Sequence, residues 1–398
     1  MKNQKESVMM NLLAYDKQKA FTFIDANKDE MICLWKELVN AECGALNKAG
    51  VDIVGKKIET ILKEIGCKTR FVEFERAGNM LIAEYGDSEH EPCIIFTGHM
   101  DTVFADGVAA QRPFTIKDDK AYGPGVLDMK GGIVILLYAL KALNEIGYKT
   151  KPIKIVLLGD EENGHLNSNA GEYIIKESKG ALAAFNFETG FMDDGIVVAR
   201  KGMLQFCLEV FGVAAHVGND PENGRSAILE IAHKIIDIEK LTDFKKGNTF
   251  NVGVIEGGTV ANATPDYAKI TVDLRFLDPA HLPAVMKQID EIVNKTYIDG
   301  TTTKFSKKVE LNAMKKTDGS LNLFEVVKNV YAEEGLGLPY AKTVGGASDS
   351  AYTVLAGVPT VCAMGVKGGR NHSKDEFAVV ETLFERAKLT IATVLKLK

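Results

Sequence analysis

The residues best suited to chemistry in this chain are two histidines and a set of carboxylates that close apolar segments. His99 follows CIIFTG, with Asp101 two places on; Glu161 and Glu162 follow IKIVLLGD; Glu188 ends ALAAFNFE; and His372 follows VCAMGVKGGRN. Asp128 lies in GPGVLDMKGG, where glycines permit a tight backbone path just before a helix. The carboxyl ends of strands are where open α/β sheets place their ligands. Two imidazoles with three carboxylates make a donor set for a pair of borderline-hard divalent ions.

Taken singly, each residue has a plainer reading, because a lone His or Glu at a strand end is usually a solvated loop residue. Spacing shifts that balance. Side chains two apart in an extended segment point the same way, so the Asp101 carboxylate can orient the His99 imidazole. Adjacent side chains diverge, so one of Glu161 and Glu162 can ligate metal while the other faces a reacting water. The plainer alternative for that pair is an acidic helix N-terminus.

Positioning these groups requires a scaffold, and the hydrophobic pattern supplies one. Apolar residues recur at helical spacing from about Lys28 to Leu62, and FVEFE and NMLIAEY then read as short strands. PCIIFTGHMDTV is an apolar strand, PFTIKDDKAYGPG alternates around a charged turn, GGIVILLYALKALNEIG is a long apolar helix, and KPIKIVLLGDEENG is a buried strand. Strands alternating with helices predict a mixed, largely parallel sheet with flanking helices.

Beyond Arg200 the pattern changes. Strands at Met203 to Val213, Thr249 to Glu256, Tyr267 to Phe276 and near Thr301 to Ser306, with helices at Asn223 to Leu241 and Pro279 to Thr296, give βαββαβ order. That order is a ferredoxin-like α+β unit, expected as an insertion at 203–313 within a catalytic domain of 1–202 and 314–398. VPTVCAMGV, after the insertion, would complete the first sheet. GGASDS at 345–350 is glycine-rich but lacks the Lys and helix pattern of a P-loop, and reads as a substrate-side loop.

Composition narrows the function classes. The 398 residues are 46% hydrophobic and 26% charged, an ordinary globular balance large enough for two cores. With 48 Lys and Arg against 54 Asp and Glu, the net charge of -6 offers no basic footprint, and nucleic acid is not expected as a partner. No run reaches membrane-spanning length, and MKNQKESVMMNLLAYDKQ has no apolar stretch for a signal peptide, so a cytoplasmic location is the expectation. The six cysteines are widely spaced without a CxxC pair and read as reduced thiols.

GHMDTV, GPGVLDMKGG, GDEENG, FETG, GGTVANATPD and NHSKDEF, in that order from about Trp35 to the C-terminus, resemble the dinuclear zinc peptidase and deacylase family. Glutamate carboxypeptidase, which it resembles most in pattern, aminoacylase, acetylornithine deacetylase and cytosolic dipeptidases belong to that family. The resemblance implies two divalent ions, zinc as the expected metal with cobalt or manganese as alternatives. It makes Asp128 the bridging carboxylate, His99 and Glu188 ligands of one ion, and Glu162 and His372 ligands of the other. Glu161 becomes the general base, acting on a water whose pKa two cations pull toward neutrality, and Asp101 keeps its place beside His99. A cis peptide after the bridging residue, at Asp128-Met129, is also implied.

In the insertion, AAHVG resembles the family segment whose His polarises the scissile carbonyl, which nominates His216 as an oxyanion stabiliser. Asn262 and Arg275 resemble substrate-holding positions, and an Arg fork suits a carboxylate. A salt bridge between Arg275 and Asp273 is the plainer alternative. Within the family, Glu at the position of Glu188 accompanies carboxypeptidases and deacylases. The expected substrate is therefore a small peptide or N-acyl amino acid with a free carboxylate, and the expected assembly a homodimer through the inserted domain. Two alternatives stand beside this reading: a di- or tripeptidase that recognises a free amine, and a non-catalytic metal-binding homologue, against which retention of Glu161 argues.

Overall fold

A computed structural model describes residues 15–397. The N-terminal segment searched for a targeting signal falls largely outside that range. Chain contacts divide the protein into two compact units, one comprising the chain up to Val198 with Lys316–Thr343 and Tyr352–Lys398, the other Ala199–Lys315 with Val344–Ala351.

The first unit is built on a six-stranded sheet in the order Lys68–Val72, Gly78–Tyr85, Ile153–Gly159, Ile94–His99, Ala183–Asn186 and Thr360–Val361. The last four strands run parallel, and the first two add an antiparallel hairpin edge. Ile94–His99 is buried at every position, as a central strand covered on both faces must be. Helix Gly131–Glu145 is buried from Gly131 through Leu140, which explains why its sequence is apolar all round. Helices Glu381–Lys396 and Asp318–Glu334 join it in one continuous core. VPTVCAMGV does enter this sheet, through Thr360–Val361.

A second, five-stranded sheet in this unit has no counterpart among the strands expected from sequence beyond its hairpin, Thr115–Lys117 with Lys120–Tyr122. Phe377–Val379 pairs with that hairpin, Lys367–Gly369 pairs with Phe377–Val379, and Gly190–Phe191 completes it. Its strands are two or three residues long, too short to carry a periodicity signal. This sheet brings the chain after Glu188 alongside the arms of the loop that carries His372.

The second unit is a four-stranded antiparallel sheet in the order Thr249–Gly257, Tyr267–Phe276, Gly202–Phe211 and Thr302–Leu311, with helices Ala227–Glu239 and Leu282–Asn294 packed on it. Tyr267–Phe276 alternates strictly between half-buried and buried, the signature of a sheet covered on one face. Ser226 caps the first helix by accepting from the Leu229 amide, so the helix begins after Asn223 and a short turn at Pro221–Asn223 precedes it. The fold is the mixed α/β architecture with a ferredoxin-like α+β unit that the sequence pattern predicts.

Candidate metal centre

His99 is buried at the end of its strand with its ring held in one orientation. Nδ1 lies 3.0 Å from the Asp101 backbone carbonyl, which can only accept, so Nδ1 carries a proton and Nε2 is the nitrogen that a cation would engage. The Asp101 carboxylate is farther from the ring, at 3.4 Å. Its oxygens accept instead from the backbone amides of Glu161 (3.3 Å) and Glu162 (3.0 Å). Asp101 thus orients the imidazole mainly through its main chain and anchors the acidic pair through its side chain, a second role that spacing along one strand does not reveal.

Asp128 turns one carboxylate oxygen toward each of two groups. Oδ1 is 3.3 Å from His99 Nε2, which is also 3.7 Å from Glu188 Oε1. Oδ2 is 3.2 Å from His372 Nε2, which is in turn 3.2 Å from Glu162 Oε2. Within each trio, His99, Asp128 and Glu188 or Asp128, Glu162 and His372, one donor atom per residue lies within 4.8 Å of the others. The peptide joining Asp128 to Met129 is cis.

Packing fixes this arrangement. Gly132 lies in the first turn of the helix after Asp128, and a Cβ there would overlap the carbonyl oxygen of Phe187, the residue before Glu188. Gly125, at φ 72°, makes the left-handed turn into the Asp128 loop. Glu376 holds that loop from the other side: buried, it accepts from the amides of Leu127 (2.8 Å), Asp128 (3.1 Å) and Gly125 (3.3 Å). Burial pushes its carboxyl up to about 7, opposed by those amides. In sequence Glu376 is one acid among the polar residues after His372; only strand pairing across the small sheet shows its position. Asn371 Nδ2 donates to Asp128 Oδ2 at 3.2 Å.

The electrostatics are those of a cation site. Burial opposes a charged His99, yet the Asp101 and Asp128 carboxylates hold its pKa well above the usual histidine range. Hydrogen bonds to Asp128 and Glu162 push His372 up to about 11. Burial and the charge of Asp128 raise Glu162. Burial alone would raise Asp128, but the two histidines hold it below the ordinary carboxylate range. Glu162 Oε1 is shut off from solvent with no hydrogen-bond partner. Carboxylates gathered in a low-dielectric site cost free energy unless a positive charge compensates them. The donor types, the shared Asp128 and the orphaned Glu162 oxygen all fit a pair of divalent cations.

Of the residues expected on the substrate side, the structure places His216 and Asn262 on linked loops of the second unit. The Val217 amide donates to the Asn262 carbonyl (3.2 Å), and His216 forms a β-bridge with Ala263. His216 is exposed, and its Nδ1 accepts from the Gly218 amide at 3.1 Å. A neutral ring therefore carries its proton on Nε2, where it can donate outward. Arg275 lies elsewhere on that sheet with its fork engaged: Nε is 2.7 Å and Nη2 3.1 Å from the Asp273 carboxylate. Its Nη1 reaches the Gly345 carbonyl at 3.5 Å, while Arg200 Nη1 donates to the carbonyls of Gly346 and Ala347. The glycine-rich loop is thus tied to the second unit by two arginines.

Residues 95–396 match the model of peptidase family M20/M25/M40. The chain belongs to that family. Carboxypeptidase G2 of Pseudomonas sp. (strain RS-16) is 28% identical over 368 residues, covering 91% of this chain and 88% of its own. Succinyl-diaminopimelate desuccinylase of Rickettsia akari is 29% identical over 260 residues, covering 60% and 67%. Among solved structures, aminopeptidase PepT from Bacillus cereus superposes with a TM-score of 0.79 at 24% identity, covering 93% of this chain and 99% of its own, and supports the fold. As an M20 member the protein is a metallopeptidase or amidohydrolase, of a metal-dependent family.

Proposed function

We propose that this M20 enzyme hydrolyses the amide bond of an N-acyl amino acid or small N-blocked peptide that bears a free carboxylate. The observation carrying this reading is the division of Asp128 between two trios of donors, with Glu161 adjoining one of them. On this reading His99 and Glu188 would hold one ion, Glu162 and His372 the other, and Asp128 would serve both. Two divalent cations held there, zinc as the expected metal, would supply the charge that acidifies water and polarises a scissile carbonyl.

The chain's own groups do the rest. Glu161 takes the proton from the attacking water at its carboxylate and returns it to the leaving amine. Asp101 fixes the backbone of the acidic pair, so Glu161 and Glu162 keep separate roles. The outward N–H of His216 donates to the developing oxyanion. Asn262 and Arg275 hold the substrate, Arg275 with whatever part of its fork Asp273 leaves available. The names carboxypeptidase G2 and succinyl-diaminopimelate desuccinylase, borne by relatives, are in keeping with substrates of this class. A homodimer through the second unit, with His216 serving the partner's site, belongs to the same reading. The free state of all six cysteines agrees with a cytoplasmic location.

A panel of N-acyl amino acids and unblocked di- and tripeptides, assayed with zinc, cobalt or manganese, tests the proposal. The expected result is faster amino-acid release from the blocked substrates. Faster release from free-amine peptides would favour a di- or tripeptidase. No release from any substrate by protein carrying two ions would favour a non-catalytic homologue.

A further inference from the structure

The first unit contains a cavity of about 390 Å³ whose lining includes Glu162, one of the candidate ligands. One wall is Glu162 with Asn163, another is 102–106, and the third is 44–47. The second wall continues directly from His99 and Asp101, so it shares a loop with the candidate ligands. It is also stiff: the Ala45 amide donates to the Thr102 carbonyl (2.9 Å), and the Thr102 amide to the Cys43 carbonyl (3.0 Å). A Cβ at Gly44 would overlap the carbonyl oxygen of Phe104, so the two segments approach as closely as glycine allows.

The chemistry of the lining selects what can enter. Leu46 is 81% exposed and Val103 40%, apolar side chains held in water beside a polar centre. The lining has two carboxylates, Asp106 and Glu162, and no Lys, Arg or His. Arg112 stacks on the Phe104 ring but turns its guanidinium to the Lys374 carbonyl.

We propose that this cavity is the subsite for the acyl half of the substrate and that it takes uncharged, apolar acyl groups rather than acidic ones. The inference rests on the amidohydrolase reading above. In that reading the leaving amino acid brings a carboxylate that needs a cation, and this cavity has none to offer. Burying apolar acyl surface against Leu46, Val103 and Phe104 then adds affinity with chain length.

The test uses the full-length, zinc-loaded protein and acetyl, butanoyl, hexanoyl, benzoyl and succinyl derivatives of one amino acid. From acetyl to hexanoyl, kcat/KM should rise about tenfold or more, within the range allowed by burying four methylenes. Succinyl should fall below butanoyl. Leu46→Asp should lower the hexanoyl-to-acetyl ratio by about tenfold, since it places a charge where the chain would lie. A flat acyl series, a preference for succinyl, or a ratio unchanged in Leu46→Asp would overturn the proposal. If no derivative is hydrolysed, the amidohydrolase reading fails, and the cavity is still tested by calorimetry with hexanoate against acetate. Tighter hexanoate binding that Leu46→Asp abolishes would uphold it, and equal binding would overturn it.

Discussion

The two units hold their candidate functional groups in opposite ways. In the first, His99, Asp101, Asp128 and Glu188 are buried, and the first three make contacts that fix them: a carbonyl for the imidazole, amides for Asp101, Asn371 and two histidines for Asp128. In the second, His216 and Asn262 are exposed on loops, and Arg275 is half-buried with its fork on Asp273. The first set is organised before any substrate arrives, which is what electrostatic stabilisation requires. The second set is reachable and partly committed to neighbours, as groups that engage a substrate or a partner subunit would be. Substitutions of the candidate ligands in the first unit should therefore change metal content, and those of His216, Asn262 and Arg275 in the second should change kinetics at constant metal content.

The largest expected effect comes from the residue common to both trios. Asp128→Ala should take metal content from two ions toward none and lower activity by roughly 10³-fold or more, as loss of several kcal/mol of charge stabilisation implies. Elemental analysis of the dialysed protein checks this. Two retained ions would remove Asp128 from its shared position.

The next prediction asks whether the second unit acts across a dimer. His216→Ala should lower kcat by about 10²- to 10³-fold, the usual cost of losing one oxyanion donor. Unfolding and refolding a one-to-one mixture of His216→Ala and Glu161→Ala chains would then restore about a quarter of wild-type activity. Half the dimers are mixed, and each has one intact site. Mixed dimers no more active than their parents would place His216 in its own chain's site or outside catalysis.

A smaller effect is expected one layer behind the ligands. Glu376→Gln turns an amide N–H₂ toward backbone donors that now meet a carboxylate, and should weaken metal retention by about 10- to 100-fold, the range for outer partners of metal ligands. Competition with a chelator at constant circular dichroism separates this from unfolding. Smaller still, Arg275→Lys should raise KM for carboxylate-bearing substrates by about tenfold and for the corresponding amides much less, because Lys keeps the charge but loses the fork. Equal losses would make Arg275 a partner of Asp273 only.

The same contrast governs what the sequence reveals. The parallel sheet and the ferredoxin-like unit are legible because their strands and helices are long enough to show periodicity. His99, Asp128, Glu162, Glu188 and His372, which the structure gathers, each end an apolar run or sit in a glycine-bounded turn. Glu376 is not legible, since its role depends on pairings between strands of two or three residues that bring it under the Asp128 loop. The division of labour in Asp101 is equally hidden: two-residue spacing predicts a carboxylate beside His99, whereas the amides it accepts from lie sixty residues away. The Asp273 partner of Arg275 is visible as alternation along one strand, and the structure shows that contact formed.

In the proposed mechanism Glu162 binds metal while Glu161 does chemistry. Metal content and kcat measured on the same preparation of Glu161→Ala test it most directly. Two ions should remain bound while kcat falls by about two to four orders of magnitude, the contribution expected of a general base. Loss of metal in proportion to activity would contradict the account and make Glu161 a ligand.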